Sequence, residues 1–294
     1  MTVDTSRRTS YCSPATACAA ATAGALPARL ALLLFLILCC SILLPSPLHA
    51  GEHLFNSGAA IKEELGRLAS EGKLFLKAPV DPYLAQTGAA AGLFTVAYIF
   101  DKQLSSNGSH HGVLRGITDV GSDASNPFLH LGIAATVYTA GAASGNAGVM
   151  ELGEEMGEAL VLADSATFVL KGAIGRGRPY QTESKSSFRP FQFRGGWDSL
   201  PSMHTASSFA LAHVAASHSQ SWPAKFACYA AAGLAGFSRV HQGKHWASDV
   251  LVGAAIGELA GDAVTRYRAL QPGKVSVAPM AIDGTPALAL VGKF

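Results

Sequence analysis

Apolar and polar positions in this chain alternate in blocks rather than residue by residue. Six apolar stretches rich in Ala and Gly stand out: Leu84–Phe100, Phe128–Ala143, Gly157–Leu170, Thr205–Ser217, Ala224–Phe237 and Ala247–Val264. Runs of 13–18 residues without period-two alternation predict helices packed on all sides. The segments between them, such as "SSNGSHHG" and "GSDASNP", predict turns. Ahead of the first run, Ile61, Leu65 and Leu68 recur at helical spacing among Lys62, Glu63, Glu64 and Arg67. That pattern predicts an amphipathic helix within Asn56–Leu76, lying on the protein's own core or on a membrane surface. Pro79 and Pro82 then break the chain. Near the C-terminus, two apolar runs flank Asp283-Gly284, a hairpin turn signal, and Pro279 and Pro286 confine both strands to sheet edges. The expected fold class is all-α: a helical bundle with a short C-terminal β-hairpin or irregular tail.

The N-terminus reads differently. Arg29 precedes an apolar run from Leu30 to Leu44, and Leu48-His49-Ala50 makes a small-residue cleavage site before Gly51. These are the parts of an export signal. An uncleaved anchor is the alternative, although the run is short against the roughly 20 residues of a spanning helix. The chain therefore divides into a signal or anchor over 1–50, an amphipathic helix and linker over 51–83, a main domain over 84–268 and a tail over 269–294. Cys12, Cys18, Cys39 and Cys40 fall in the exported segment, so Cys228 alone remains and no disulfide is expected within the mature chain.

Charge narrows the function classes. Only 14% of residues are charged, against about 25% in ordinary soluble domains. Beyond residue 50 acidic and basic side chains balance, which leaves no electrostatic footprint for nucleic acid. Small-residue helices suit packing in a membrane. However, Glu158 and Asp164 interrupt one run, and Asp249, Glu258 and Asp262 another, and charges at mid-bilayer are costly. The expectation is an exported, periplasmic or membrane-associated domain, with an integral membrane protein as the alternative.

Three polar clusters break the apolar background: "KGAIGRGRP" from Lys171 to Pro179, "PSMH" from Pro201 to His204, and "SRVHQGKHWASD" from Ser238 to Asp249. Each has an ordinary reading. Lys171 could compensate a helix dipole, Ser202 could merely cap a helix, and His245 with Asp249 could be an internal ion pair. Each also has a chemical one. Arg176 and Arg178 on a Gly-rich turn suit bidentate oxyanion binding. Ser202, Met203 and His204 at a helix start would meet a phosphate. His245 and Asp249, four apart, would share a helical face, with the carboxylate fixing the imidazole tautomer and Arg239 reaching the same centre. Three cations, two histidines, a hydroxyl and a carboxylate would then surround one tetrahedral anion. With neither Cys/His metal spacing nor a Walker-type loop in the sequence, the combination points to phosphoryl transfer through a histidine nucleophile without a metal.

In these motifs the chain resembles the type 2 phosphatidic acid phosphatases (PAP2), which share a fold with bacterial class A acid phosphatases and vanadium haloperoxidases. The family signature is Lys-x6-Arg-Pro, Pro-Ser-Gly-His and Ser-Arg-x5-His-x3-Asp. Here it runs from Lys171 to Pro179, Pro201 to His204 and Ser238 to Asp249, with every internal spacing kept except that Met203 replaces the Gly. The resemblance implies His245 as nucleophile, Asp249 as its orienting partner and His204 as acid for the leaving group and base for water. It also implies that Lys171, Arg178, Ser202, the Met203 backbone and Arg239 hold the phosphate. It implies no cofactor, and a phosphorylated lipid or small phosphomonoester as substrate. A vanadate-dependent haloperoxidase, or a membrane protein with a vestigial site, are the alternatives.

Overall fold

Glycines and alanines let the helices of this computed structural model approach to backbone contact. The residues described are 58–108, 112–270, 276–282 and 285–291; the expected export signal or anchor, with its four cysteines, lies outside them. Eight helices are found among the described residues: α1 (Gly58–Lys77), α2 (Leu84–Gly108), α3 (Gly112–Ala124), α4 (Pro127–Ser144), α5 (Ala147–Ile174), α6 (Met203–His218), α7 (Trp222–His241) and α8 (Ala247–Leu270). Two strands follow, β1 (Ser276–Ile282) and β2 (Thr285–Val291), paired antiparallel in the register Ser276↔Val291 to Ile282↔Thr285. Asp283-Gly284, expected as the turn, lies outside the described residues.

The centre is α5, α6 and α8, with α4 against α5. Leu160, Ala163, Ala206, Ala210, Val214, Ile256, Ala260 and Val264 form one buried cluster. On α8, Gly253, Gly257 and Gly261 recur every fourth residue and face α6. A Cβ on Gly257 would lie 2.2 Å from the Ala206 carbonyl oxygen. This stripe seats the start of α8 against the start of α6, and those two helix starts hold residues of the second and third sequence motifs. Asn126 and Asn146 cap α4 and α5 by accepting from Phe128 N and Val149 N, satisfying donors that helix starts leave free.

The apolar pattern underestimates two elements. Helix α5 begins ten residues before the expected Gly157, because Glu151, Glu154 and Glu155 hide its first turns. Helix α3 lies where the chain reads as turns and a short mixed segment. Four of the carboxylates that argued against mid-membrane helices have partners within the bundle: Glu158 pairs with Arg268 and Arg67, Asp164 accepts from Ser207, Glu258 from Tyr229, and Asp262 from Tyr83. Among the described residues, no helix is long and apolar enough to cross a membrane.

Candidate active site

The three motifs meet where the end of α5, the start of α6, the end of α7 and the start of α8 come together. Lys171 lies in the last turn of α5, Ser202 caps α6, and Met203 and His204 open it. Arg239 lies in the last turn of α7, and Asp249 in the first turn of α8. Arg178 stands on the loop after Gly175, whose φ of 62° ends α5 in the left-handed region.

His245 is almost fully buried. Contrary to the helical-face expectation, it precedes α8 and lies in a turn. Lys244 N and His245 N both donate to the Arg239 carbonyl, at 2.9 and 3.2 Å, which tightens that turn. Its Nδ1 therefore faces a different partner, the Ser199 carbonyl at 2.7 Å, while the Asp249 carboxylate is 3.7 Å away. A carbonyl oxygen only accepts, so Nδ1 carries the proton and Nε2 holds the lone pair. Burial, followed by the charges of Lys171, Arg178, Arg239 and His204, pushes the imidazole well below its ordinary pKa. The ring is therefore held in its neutral form.

Asp249 acts through its surroundings. It accepts from Ser199 Oγ at 2.5 Å, Trp246 N at 2.9 Å and Arg176 Nη1 at 2.6 Å. Arg176 is fully buried, sandwiched between Tyr98 and Trp246, and its Nη2 donates to Asp101 at 2.8 Å. It is therefore not an oxyanion ligand, as its Gly-rich turn suggests, but the tie between Asp101 on α2 and Asp249 on α8. Ser248 completes the set, giving N–H and Oγ–H to Asp101 and accepting from Arg176.

The remaining cations surround this buried unit. Arg178 pairs with Asp198, and Lys171 Nζ donates to the Asp198 carbonyl at 2.5 Å. Burial, then Arg178, lowers Lys171 to about 8. Arg239 gives Nη1 to Ser122 on α3 at 2.7 Å, and burial with Arg178 lowers it to about 10. His204 falls to about 3, first by burial and then by Arg239, Lys171 and Arg178. Mutual repulsion among these groups is the sign of a site built for an anion. Ser202 is fully buried and accepts from Thr205 Oγ1 at 2.9 Å rather than capping through its side chain.

Asp101, Ser122, Asp198 and Ser199 are site residues that the motifs do not contain. Asp198 and Ser199 stand just ahead of the second motif, separated from it by Leu200, so nearness was the available signal. Asp101 and Ser122 had none beyond being polar positions beside apolar runs. Other histidines have structural partners: His213 faces Glu258, His218 Glu155 and His241 Thr118. Among the described residues, no group of three or more His, Cys, Asp or Glu side chains gathers as a metal site.

Residues 155–271, which contain all three motifs, match the family model described as the PAP2 superfamily. A 68-residue stretch is 44% identical to the lipid A 1-phosphatase of Porphyromonas gingivalis, covering 22% of this chain and only 15% of that protein. A crystal structure of Aquifex aeolicus LpxE aligns with 23% identity and a TM-score of 0.41, over 60% of this chain and 94% of that one.

Proposed function

We propose, from the match of residues 155–271 to the PAP2 superfamily model, that this chain is a phosphatase that uses no metal. It transfers the phosphoryl group of a phosphate monoester, or of a lipid-linked phosphate or diphosphate, first to His245 and then to water. One observation carries this reading: a buried, neutral imidazole with Nδ1 tied to the Ser199 carbonyl, acted on by the charges of Lys171, Arg178, Arg239 and His204.

Nε2 of His245 attacks phosphorus as the bond to the leaving oxygen breaks. Lys171, Arg178 and Arg239, with Ser202 and the free N–H groups at the start of α6, hold the non-bridging oxygens. The phosphohistidine that forms is cationic at the ring, and the Ser199 carbonyl with nearby Asp249 stabilises it. His204 protonates the leaving alkoxide. The cations around it hold its own pKa near 3, and a phosphate dianion arriving among them offsets that field, so the acid form is recruited by substrate. Neutral again after this transfer, His204 takes a proton from water, which attacks the phosphohistidine and frees His245.

The likeness to a lipid A 1-phosphatase over 68 residues supports the lipid-linked end of the substrate range. Exposed Phe128, Trp222 and Phe226 support a membrane-associated location for the exported protein. Nothing in the charge balance calls for a nucleic-acid partner. The test is hydrolysis of p-nitrophenyl phosphate and a lipid phosphate in chelator. Wild type is expected to turn over both, with inhibition by vanadate as a phosphate mimic. It should also yield an acid-labile, base-stable phosphoenzyme that His245→Ala lacks. Activity restored only by a divalent cation overturns the mechanism.

A further inference from the structure

The loop after Arg178 presents aromatic side chains beside the phosphate lysine under unusual backbone constraint. Phe191 and Phe193 have φ values of 61° and 47°, in the left-handed region that residues with a Cβ seldom enter and that marks functional segments. Both rings remain mostly exposed, at 75% and 66%. The loop is fixed on the end of α5: Phe191 N donates to the Gly172 carbonyl and Arg189 N to the Gly175 carbonyl, each at 2.7 Å. It fits there because α5 ends in glycines. A Cβ on Gly172 would lie 2.0 Å from the Phe193 ring, and one on Gly175 would lie 1.9 Å from the Arg189 carbonyl oxygen. The glycines around Lys171 thus seat this loop against the catalytic centre.

Phe168, one turn before Gly172 on α5, faces Phe193 with ring centroids 6.2 Å apart. Phe168, Phe193 and Trp197 wall a cavity of about 320 Å³ that also reaches Lys171, Gly172 and Asp198. Lys171 and Asp198 of the candidate phosphate site thus line one part of this cavity, and Arg194 and Gly195 complete the lining beside the three aromatic rings. Exposed Val169 and Phe191 adjoin it in sequence and extend the apolar surface outward. Lys171 and these rings share one cavity, so the ester substituent of a phosphate bound at Lys171 has an apolar wall to meet.

We infer that this cavity binds the apolar part of an amphiphilic phosphate ester, and that Phe168 and Phe193 determine specificity for it. The inference rests on the phosphatase reading of the neighbouring site. Apolar contact of this kind is additive in methylenes, approaching roughly fourfold in kcat/KM for each one fully taken from water.

The experiment compares ethyl and octyl phosphate, both below their aggregation concentrations, on the purified full chain. Wild type is expected to prefer octyl phosphate by about 30-fold or more in kcat/KM. Phe193→Ala should cut that preference about tenfold, and Phe193→Leu should keep most of it. The ratio is read within one preparation, so a reduced folded fraction does not affect it. Should Phe193→Ala be inactive on both esters, Phe168→Ala supplies the same ratio. A wild-type ratio near one, or a ratio unchanged in both alanine variants, overturns the subsite. Failure of wild type to hydrolyse either ester overturns the phosphatase reading instead.

Discussion

Arg178 holds Asp198 through two parallel hydrogen bonds, Nε to Oδ1 and Nη2 to Oδ2, each 2.8 Å. This fork leaves Nη1 for a ligand and fixes the plane of the guanidinium. The Asp198 carbonyl accepts from Lys171, and the next residue, Ser199, holds both His245 and Asp249. Two consecutive residues therefore connect Lys171 and Arg178 to His245. Asp198→Asn is expected to lower kcat/KM about tenfold and weaken inhibition by inorganic phosphate, since a neutral amide orients Arg178 less firmly. Inhibition constants measured on both proteins check this; tighter phosphate binding would show that Asp198 competes with the ligand instead.

Under the proposed mechanism, Lys171 is expected to set the alkaline limit of activity. It is lowered to about 8 by burial and by Arg178, with Arg239 adding to this and Asp198 and Asp249 opposing it. The amine is cationic below that pH and loses its charge above it. Accordingly kcat/KM should decline above about pH 8, by about tenfold per unit at the steepest. Lys171→Arg, which stays charged, should move the decline upward whatever it does to the maximal rate. A pH–rate profile that is flat to pH 10 would contradict this assignment.

Arg176 is a structural tie with a catalytic consequence. Arg176→Met leaves Asp101 and Asp249 buried without their shared cation, a loss expected to cost about 3–5 kcal/mol of stability. Asp101→Asn keeps an acceptor for Ser248 and should cost less. Thermal unfolding measures both. At temperatures where both are folded, kcat should fall more in Arg176→Met, because the Asp249 carboxylate moves with its partner.

Stability should also depend on pH far from the active site. Glu71 of α1 is fully buried, and burial with Glu158 raises it to about 8, against the opposing charges of Arg268 and Arg67. The folded chain thus keeps a proton there that the unfolded chain releases near pH 4.5. Stability is fully retained below that pH and declines as pH rises to about 8. Glu71→Gln should flatten this slope and add on the order of 1–3 kcal/mol at pH 8, read from denaturant melts at several pH values.

Motif spacing made the main parts of the candidate site legible. Lys171, Arg178, Ser202, His204, Arg239, His245 and Asp249 could be picked out because polar side chains are rare in so apolar a chain, and their spacing is that of a known family. The antiparallel pairing of β1 and β2 was also legible, from two apolar runs close together in sequence. Helix α3 was not, since its mixed composition has neither an apolar block nor a cap to mark it.

What the linear pattern could not decide was which polar group meets which. Counting residues places Asp249 on the helical face of His245, yet the turn closed on the Arg239 carbonyl puts His245 outside the helix and gives Nδ1 to Ser199. It likewise places Arg176 beside Arg178 as a ligand for phosphate. Packing of α2 against α8 brings Asp101 to it and buries the guanidinium instead. Residue types and local spacing are properties of the chain, whereas partners 46 to 75 positions apart are chosen only when helices pack and buried polar groups must be satisfied.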